Sequence, residues 1–113
     1  MQNEDWKVSL SPKETIDVLE KELDKFTCAK CLDRYVIQTQ QGAEVEMVVF
    51  EQYYMRTSNR ATLTVLANAV DGATNVHFVA GGSSNSMLFR FDWGASEHFV
   101  HWAKAALKTY RLE

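Results

Sequence analysis

The first residues of the chain alternate between apolar and polar side chains. Trp6, Val8 and Leu10 are separated by Lys7 and Ser9. A period of two places successive side chains on opposite faces of an extended backbone. The pattern therefore predicts a short strand with one buried face.

The next four residues, Ser11-Pro12-Lys13-Glu14, predict the start of a helix. The Ser11 hydroxyl can accept a hydrogen bond from an early helical N–H, while the Glu14 side chain reaches back to the N–H of Ser11. Proline suits the first helical position because the N–H that it lacks would have no helical partner there. The apolar residues that follow have helical spacing: Ile16, Leu19, Leu23 and Phe26. We expect a helix from Pro12 to Phe26.

The middle of the chain returns to a period of two, which is typical of strands with one buried face. The predicted strands are 35–39, 45–54, 61–69 and 76–80, with a further one at 87–91. Asp71-Gly72 is a preferred pair for a tight hairpin turn. At Val48-Val49-Phe50 both faces of the strand are apolar, which indicates a bulge or burial on both sides. Strands joined by short turns form an antiparallel meander.

The segment DWGASEHFVHW, residues 92–102, predicts a second amphipathic helix. Asp92, or Ser96 one turn later, is a suitable N-cap. One face of this helix is apolar, and it consists of Ala95, Phe99, Trp102, Ala103, Ala106 and Tyr110. His98 and His101 point away from that face.

These elements predict one α+β domain over residues 1–113. It has an antiparallel meander sheet of four to six strands, with an N-terminal and a C-terminal helix on one face. The expected core consists of Trp6, Ile16, Leu19, Leu23, Leu63, Val65, Phe78, Phe99, Trp102 and Ala106.

Composition narrows the classes of function. The 113 residues are 46% hydrophobic and 24% charged, with a formal net charge of −3, as in an ordinary globular domain. Because there is no basic run, binding to nucleic acid is disfavoured. No stretch approaches the ~20 apolar residues that span a bilayer, and the charged N-terminus does not resemble a signal peptide. We expect a cytoplasmic protein with no nucleic-acid or membrane partner.

Two cysteines and two histidines suggest a metal site. Cys28 and Cys31 form a Cys-x-x-Cys pair, and His98 and His101 lie three residues apart on the second helix. Together they offer the four ligands that zinc requires. However, the histidines face away from the predicted core. The cysteines also follow a helix, whereas a redox dithiol precedes one. We therefore favour incidental thiols, with neither metal nor cofactor.

Two further patterns have a catalytic and a structural interpretation. The loop GGSSNS, residues 81–86, resembles a phosphate-binding loop in composition, but an apolar run separates it from the next helix. Glu44, Glu46 and Glu51 offer paired carboxylates for acid–base chemistry. Alternating acids more often form the solvated face of a strand, which is the interpretation that we favour. No catalytic residue is assigned, so a non-enzymatic function is favoured.

One strand carries an unusual load of aromatic and methionine side chains between Phe50 and Met55. Core packing explains part of it. Tyr53 and Tyr54 must point to opposite faces, so at least one lies outside the core. A small apolar ligand between the sheet and the second helix would contact Phe50, Tyr53, Tyr54 and Trp102.

The segments FEQYYMRTSNRATLTV (residues 50–65) and GGSSNSMLFRF (residues 81–91) resemble a family of short, uncharacterised bacterial domains of Gram-positive type. That family has no assigned activity, so the resemblance implies no functional residue. The order of elements also resembles helix-grip and TBP-like α+β domains. In helix-grip proteins a curved sheet wraps a long C-terminal helix, and small apolar ligands bind between them.

The sequence is compatible with three functions. The first is a non-enzymatic domain that binds a small apolar ligand or a protein partner. The second is a homo-oligomeric module that associates through an exposed strand or the open face of the sheet. The third is a zinc or thiol site at Cys28, Cys31, His98 and His101.

Overall fold

The computed structural model describes residues 2–25, 29–40, 44–54, 59–83 and 91–112, and it omits the side chains of 2–4, 54, 59, 82–83 and 91–98. The chain is α+β, as predicted. Five strands and two helices are present in the described ranges: β1 (Gln2–Val8), α1 (Pro12–Leu23), β2 (Ala29–Gln38), β3 (Glu44–Tyr54), β4 (Asn59–Asn68), β5 (Thr74–Ser83) and α2 (Phe91–Leu107). A 3-10 turn, Lys108–Tyr110, follows α2.

The five strands form one antiparallel sheet in the order β1-β5-β4-β3-β2. Strands β2 to β5 are a meander, and β1 adds to its far side by pairing with β5. The two edges of the sheet are therefore β1 and β2. The sixth predicted strand, at 87–91, falls largely outside the described residues, and Phe91 itself begins α2.

Both helices pack on the same face of the sheet. Helix α1 contacts β3 and β4, while α2 contacts β4 and β5. The strand residues beneath them alternate strictly between buried and half-buried in β4 and β5. The fully buried strand side chains are Val8, Glu46, Val48, Phe50, Ala61, Leu63, Val65, Ala67, Val76, Phe78 and Ala80. One continuous core results, with an opposite face of the sheet that no described helix covers.

The predicted start of α1 is confirmed. The Glu14 N–H donates to Ser11 Oγ (3.1 Å) and the Ser11 N–H donates to Glu14 Oε1 (2.9 Å), with Pro12 at the first turn. The described helix ends at Leu23, three residues before the predicted end. Phe26 lies outside the described residues.

Seven of the ten residues predicted to form the core are fully buried, and the other three are partly buried: Trp6, Trp102 and Ala106. The apolar face of α2 is also turned relative to the prediction. Val100 and Leu107 are buried there, whereas Tyr110 lies beyond the helix and is 36% exposed. Asp92 lies within the helix rather than before it.

The connection between β4 and β5 is longer than the predicted two-residue turn. Asn68 and Asn75 are the last paired residues, and the Gly72 N–H donates to the Ala69 carbonyl oxygen (3.2 Å). Gly72 has a φ of 97°, in the left-handed region that favours glycine. The position of the turn is as predicted, and its length is not.

Candidate interaction site

Strand β2 is an exposed edge of the sheet. It pairs with β3 on one side, and its other side has no strand partner in the described part of the chain. Eight of its ten residues are exposed. An edge strand presents unpaired N–H and C=O groups, so it can accept a further strand.

The exposed side chains of β2 are unusually apolar. Leu32, Tyr35, Val36 and Ile37 are 46–57% exposed, and they are four of the seven exposed large hydrophobic side chains in the described ranges. We call these four residues the β2 edge surface. Single exposed apolar residues are normal, but a contiguous group of them indicates an interaction site.

The β2 edge surface continues onto the open face of the sheet. Tyr35 lies opposite Met47, which lies opposite Leu66 on the next strand, and Ile37 lies opposite Val45. The side chains on β3 and β4 in this group are half-buried. An apolar stripe therefore runs from the edge of the sheet to its middle.

Val36 lies on the opposite side of the same strand. Its neighbour across the sheet is Glu46, which is buried on the helix side. Helix α1 packs mainly on β3 and β4, so Val36 remains 49% exposed. Strand β2 thus exposes apolar side chains on both faces.

Arg34 joins β2 to α1 and β3. Its guanidinium donates hydrogen bonds to Glu46 Oε1 (2.8 and 3.0 Å), Glu20 Oε1 (2.8 Å) and Asp17 Oδ1 (3.0 Å). Glu46 is only 1% exposed, whereas the Arg34 side chain is 25% exposed. A buried carboxylate requires such a partner. This cluster holds the inner side of β2 in place.

Within the cluster, the hydrogen bonds shift the pKa values of Arg34 and Asp17. Burial alone would lower the pKa of Arg34, but its hydrogen bonds to Glu46, Asp17 and Glu20 outweigh burial and raise that pKa. The hydrogen bond from Lys13 lowers the pKa of Asp17, and the hydrogen bond from Arg34 adds to this effect against the opposing effect of desolvation. Both shifts favour the charged forms, the guanidinium of Arg34 and the carboxylate of Asp17.

The prediction that the acidic residues of β3 form a solvated face is wrong for Glu46. Residues 46, 48 and 50 share the helix side of β3, and all three are buried. Glu51 lies on the open face, within 4 Å of Lys30 and Arg60. The bulge that the apolar run of β3 suggested lies in the neighbouring strand, between Cys31 and Asp33.

The predicted ligand-binding residues do not all lie together. Phe50 is fully buried, and its ring packs edge-on against Trp102 at 5.9 Å. Tyr53 lies on the open face, where the Arg60 guanidinium sits 5.6 Å from its ring centre. The side chain of Tyr54 is outside the described residues. A ligand site at these residues stays a prediction.

The predicted zinc or thiol site is described only in part. Cys28 and the side chain of His98 lie outside the described residues, and His101 is exposed on α2. Cys31 is an exposed free thiol that donates to the Asp33 carbonyl oxygen (3.6 Å), and burial, followed by the charge of Glu20, raises its pKa. Within the ranges that the structure describes, no three His, Cys, Asp or Glu side chains form a metal-binding group.

An open cavity of about 530 Å³ lies at the end of the sheet where β4 turns into β5. Its lining comes from the β1–α1 connection, the β4–β5 connection and the C-terminal segment, and includes Val8, Leu10, Pro12, Ala69 and Leu112. Glu14, an ionisable lining residue, is already bonded to the Ser11 N–H. Of the predicted ligand-binding residues whose side chains are described, namely Phe50, Tyr53 and Trp102, none lines this cavity.

The β2 edge surface and the Arg34 cluster were not identified from the sequence. The run Tyr35-Val36-Ile37 predicts a strand, but its place at the edge depends on the order of strands in the sheet. Three consecutive apolar residues place apolar side chains on both faces of a strand. This feature of the sequence is the one that indicates an exposed apolar surface on β2. The partners of Arg34 are 12 to 17 residues away and meet it only in the folded chain.

The described chain contains no helix that combines the length and the apolar character needed to cross a bilayer. Searches among curated proteins and among solved structures found no significant match. The model of one protein family matches residues 1–111, and that family is described as a family of unknown function (DUF6054). The chain belongs to this family of unknown function.

Proposed function

We propose that this chain is a non-enzymatic protein-interaction domain that binds its partner through the β2 edge surface. The observation that supports the proposal is the concentration of half-exposed apolar side chains on one edge strand, whose outer side has no strand partner among the described residues. An extended segment of the partner would add to β2 as a further strand. Main-chain hydrogen bonds would supply affinity, and the alternating side chains would supply specificity.

The Arg34 cluster supports this function because a strand that accepts a partner must hold its shape beforehand. Arg34 fixes β2 to α1 and to β3 through three carboxylates. The backbone of β2 is therefore ordered before binding, and less conformational entropy is lost on association. We also propose a cytoplasmic location, together with the absence of nucleic-acid and membrane partners, on the basis of the composition.

Site-specific photo-crosslinking tests the proposed function. A photoreactive amino acid at position 35 should form protein adducts in the native host. The same amino acid at Val70, which is 62% exposed on the β4–β5 connection, is the matched control and should give few adducts. Mass spectrometry of the adducts identifies the partner. Equal yields at both positions, or none at position 35, would contradict the proposal.

A second candidate function is the binding of a small apolar ligand in the cavity beside the β4–β5 connection. Its volume of about 530 Å³ falls within the usual range of ligand sites. A fluorescent apolar probe should bind the protein, and Ala73→Trp, which fills the cavity, should abolish the signal. If Ala73→Trp leaves the signal unchanged while Val36→Lys removes it, the probe binds the β2 edge surface and this candidate fails.

A further inference from the structure

We infer that the partner of the β2 edge surface is a second copy of this chain, paired antiparallel with it about a two-fold axis at Val36. This inference rests on the proposed function and names the partner of the same site. It predicts one continuous ten-stranded sheet across two copies, with all four helices on one side.

The two edges of the sheet differ, and β2 is the better suited to pairing. At the end of β1, the Leu112 N–H donates to the Lys7 carbonyl oxygen (2.8 Å) and Val8 forms a bridge with Arg111. The Arg111 guanidinium also lies 4.2 Å from the ring centre of Trp6. The C-terminal segment therefore covers the end of β1. No described strand pairs with the outer side of β2.

The distribution of exposed side chains favours edge pairing over stacking of two open faces. Stacking would cover Tyr35 and Ile37 on the open face, but it would leave Val36 in water on the helix side. A strand added at the edge contacts both faces of β2 at once. Edge pairing therefore accounts for all three exposed side chains.

The sequence of β2 is self-complementary about Val36. In this register Val36 faces its own copy, and Tyr35 faces Ile37 of the second copy on the open face, twice by symmetry. Pairs between aromatic and β-branched side chains are favourable across antiparallel strands. An isologous interface requires this kind of self-complementarity.

The charged residues of β2 agree with the same register. Arg34 would face Gln38, and Asp33 would face Thr39, so no like charges lie opposite each other. An axis at Arg34 instead would place two guanidinium groups opposite each other and Tyr35 opposite Asp33. Like charges directly opposite are unfavourable. Of these two registers, the one centred on Val36 is therefore preferred.

The available area fits a reversible dimer. The four side chains of the β2 edge surface are each about half exposed. Together they expose on the order of 300–400 Å² of apolar surface per copy. A standard interface buries ~800 Å² per partner. The main chain of β2 and the neighbouring Val45 and Met47 would add to the area that each copy buries. We expect a dissociation constant on the order of micromolar, at the weak end for specific dimers.

Sedimentation velocity of the purified full chain over a concentration series tests the inference. We expect a monomer–dimer equilibrium. Val36→Lys places two cations at the axis and should weaken dimerisation by 100-fold or more. Val70→Lys introduces the same change at another exposed valine and should leave the equilibrium unaltered. Both positions are exposed, so circular dichroism should show that both variants remain folded.

A disulfide test checks the register. With Cys28 and Cys31 replaced by serine, Val36→Cys should give a covalent dimer under mild oxidation because the two sulfur atoms meet at the axis. Gln38→Cys should not, since residues two positions from the axis lie ~13 Å from their own copies, beyond disulfide reach. Linkage at position 38 but not at 36 would overturn the register.

The outcomes separate the inference from the proposed function. A concentration-independent monomer, or a dimer that Val36→Lys does not weaken, overturns the inference. If photo-crosslinking at position 35 then identifies a different protein, the proposed function stands with another partner. If crosslinking also fails at position 35, both are wrong.

Discussion

Glu46 shows how a single buried charge depends on its partner. Its carboxylate is 1% exposed and accepts two hydrogen bonds from Arg34. In water the same carboxylate would be fully hydrated, so burial is tolerated only while the guanidinium is present. The pair is therefore a point of vulnerability, although it is not by itself evidence of high stability.

Replacing Arg34 by methionine should lower the free energy of unfolding by about 3 kcal/mol, because Glu46 would remain buried without its hydrogen-bond partner. Urea denaturation measures the change. Lys13→Met removes an ion pair in which both side chains are exposed and should leave stability nearly unchanged. The double variant Arg34→Met/Glu46→Leu should recover most of the loss. Equal effects of the two single variants would contradict this account.

Asp17 should make stability depend on pH in the acid range. Its pKa is lowered below the ordinary value of 3.8, so the folded state binds a proton less readily than the unfolded state. The resulting stabilisation is fully present above about pH 4 and is lost as the pH falls through the lowered pKa. Urea midpoints between pH 7 and 2 should therefore fall more steeply for the wild type than for Asp17→Asn. Parallel curves would show that Asp17 contributes nothing to the pH dependence of stability.

At the scale of the element, the β4–β5 connection depends on the conformation of one glycine. Gly72 has a φ of 97° and has no atom within 4 Å of the place where a Cβ would lie. The obstacle to a side chain is therefore conformational and not steric. Gly81, in β5, has no positive φ, and its Cβ would lie 3.9 Å from Thr62 Oγ1, an ordinary contact.

Gly72→Ala should lower the free energy of unfolding by about 1 kcal/mol, because alanine in the left-handed region is strained. Gly81→Ala is the matched control and should be neutral or stabilise by up to ~0.5 kcal/mol, since alanine has fewer unfolded conformations to lose. Urea denaturation of both variants gives the comparison. A larger loss at Gly81 would contradict the prediction.

The elements that the sequence predicted well are those specified by neighbouring residues. The capping box at Ser11 and Glu14, the alternation in β4 and the turn at Gly72 each depend on residues within a few positions. The orientation of β3 could not be predicted in this way. Both of its faces are apolar around Val48, so the period of two did not determine which side carries Glu46.

The candidate site could not be predicted because it depends on the assembled sheet. The sequence identifies Tyr35, Val36 and Ile37 as a strand, but an edge strand and a central strand can have the same composition. Only the order β1-β5-β4-β3-β2 places these residues at the edge. The rotated apolar face of α2, with Val100 and Leu107 buried, likewise follows from packing against β4 and β5.

At the scale of the whole molecule, the C-terminal segment ties the last helix back to the first strand. The Ser9 N–H donates to the Tyr110 carbonyl oxygen and the Leu112 N–H donates to the Lys7 carbonyl oxygen, both at 2.8 Å. These bonds connect opposite ends of the sequence. They hold the C-terminal segment against the end of β1.

Leu112→Pro should lower the free energy of unfolding by about 1 kcal/mol, because proline cannot donate the hydrogen bond to Lys7. Arg111 already has an extended backbone (φ −68°, ψ 134°), which is the conformation that a following proline favours. Leu112→Ala keeps the N–H and controls for the loss of the side chain. Thermal unfolding should give a lower midpoint for the proline variant than for the alanine variant. Equal midpoints would show that the hydrogen bond is unimportant.

The pairing of the C-terminal segment with the end of β1 limits the size of any polymer. A sheet with two bare edges can recruit neighbours without end, which is the route to fibres. In this chain the C-terminal segment already pairs with β1 at Lys7 and Val8. A growing sheet would therefore have only the first residues of β1 left to join, and we expect association through β2 to stop at two molecules. Concentrated solutions should therefore contain pairs and not filaments.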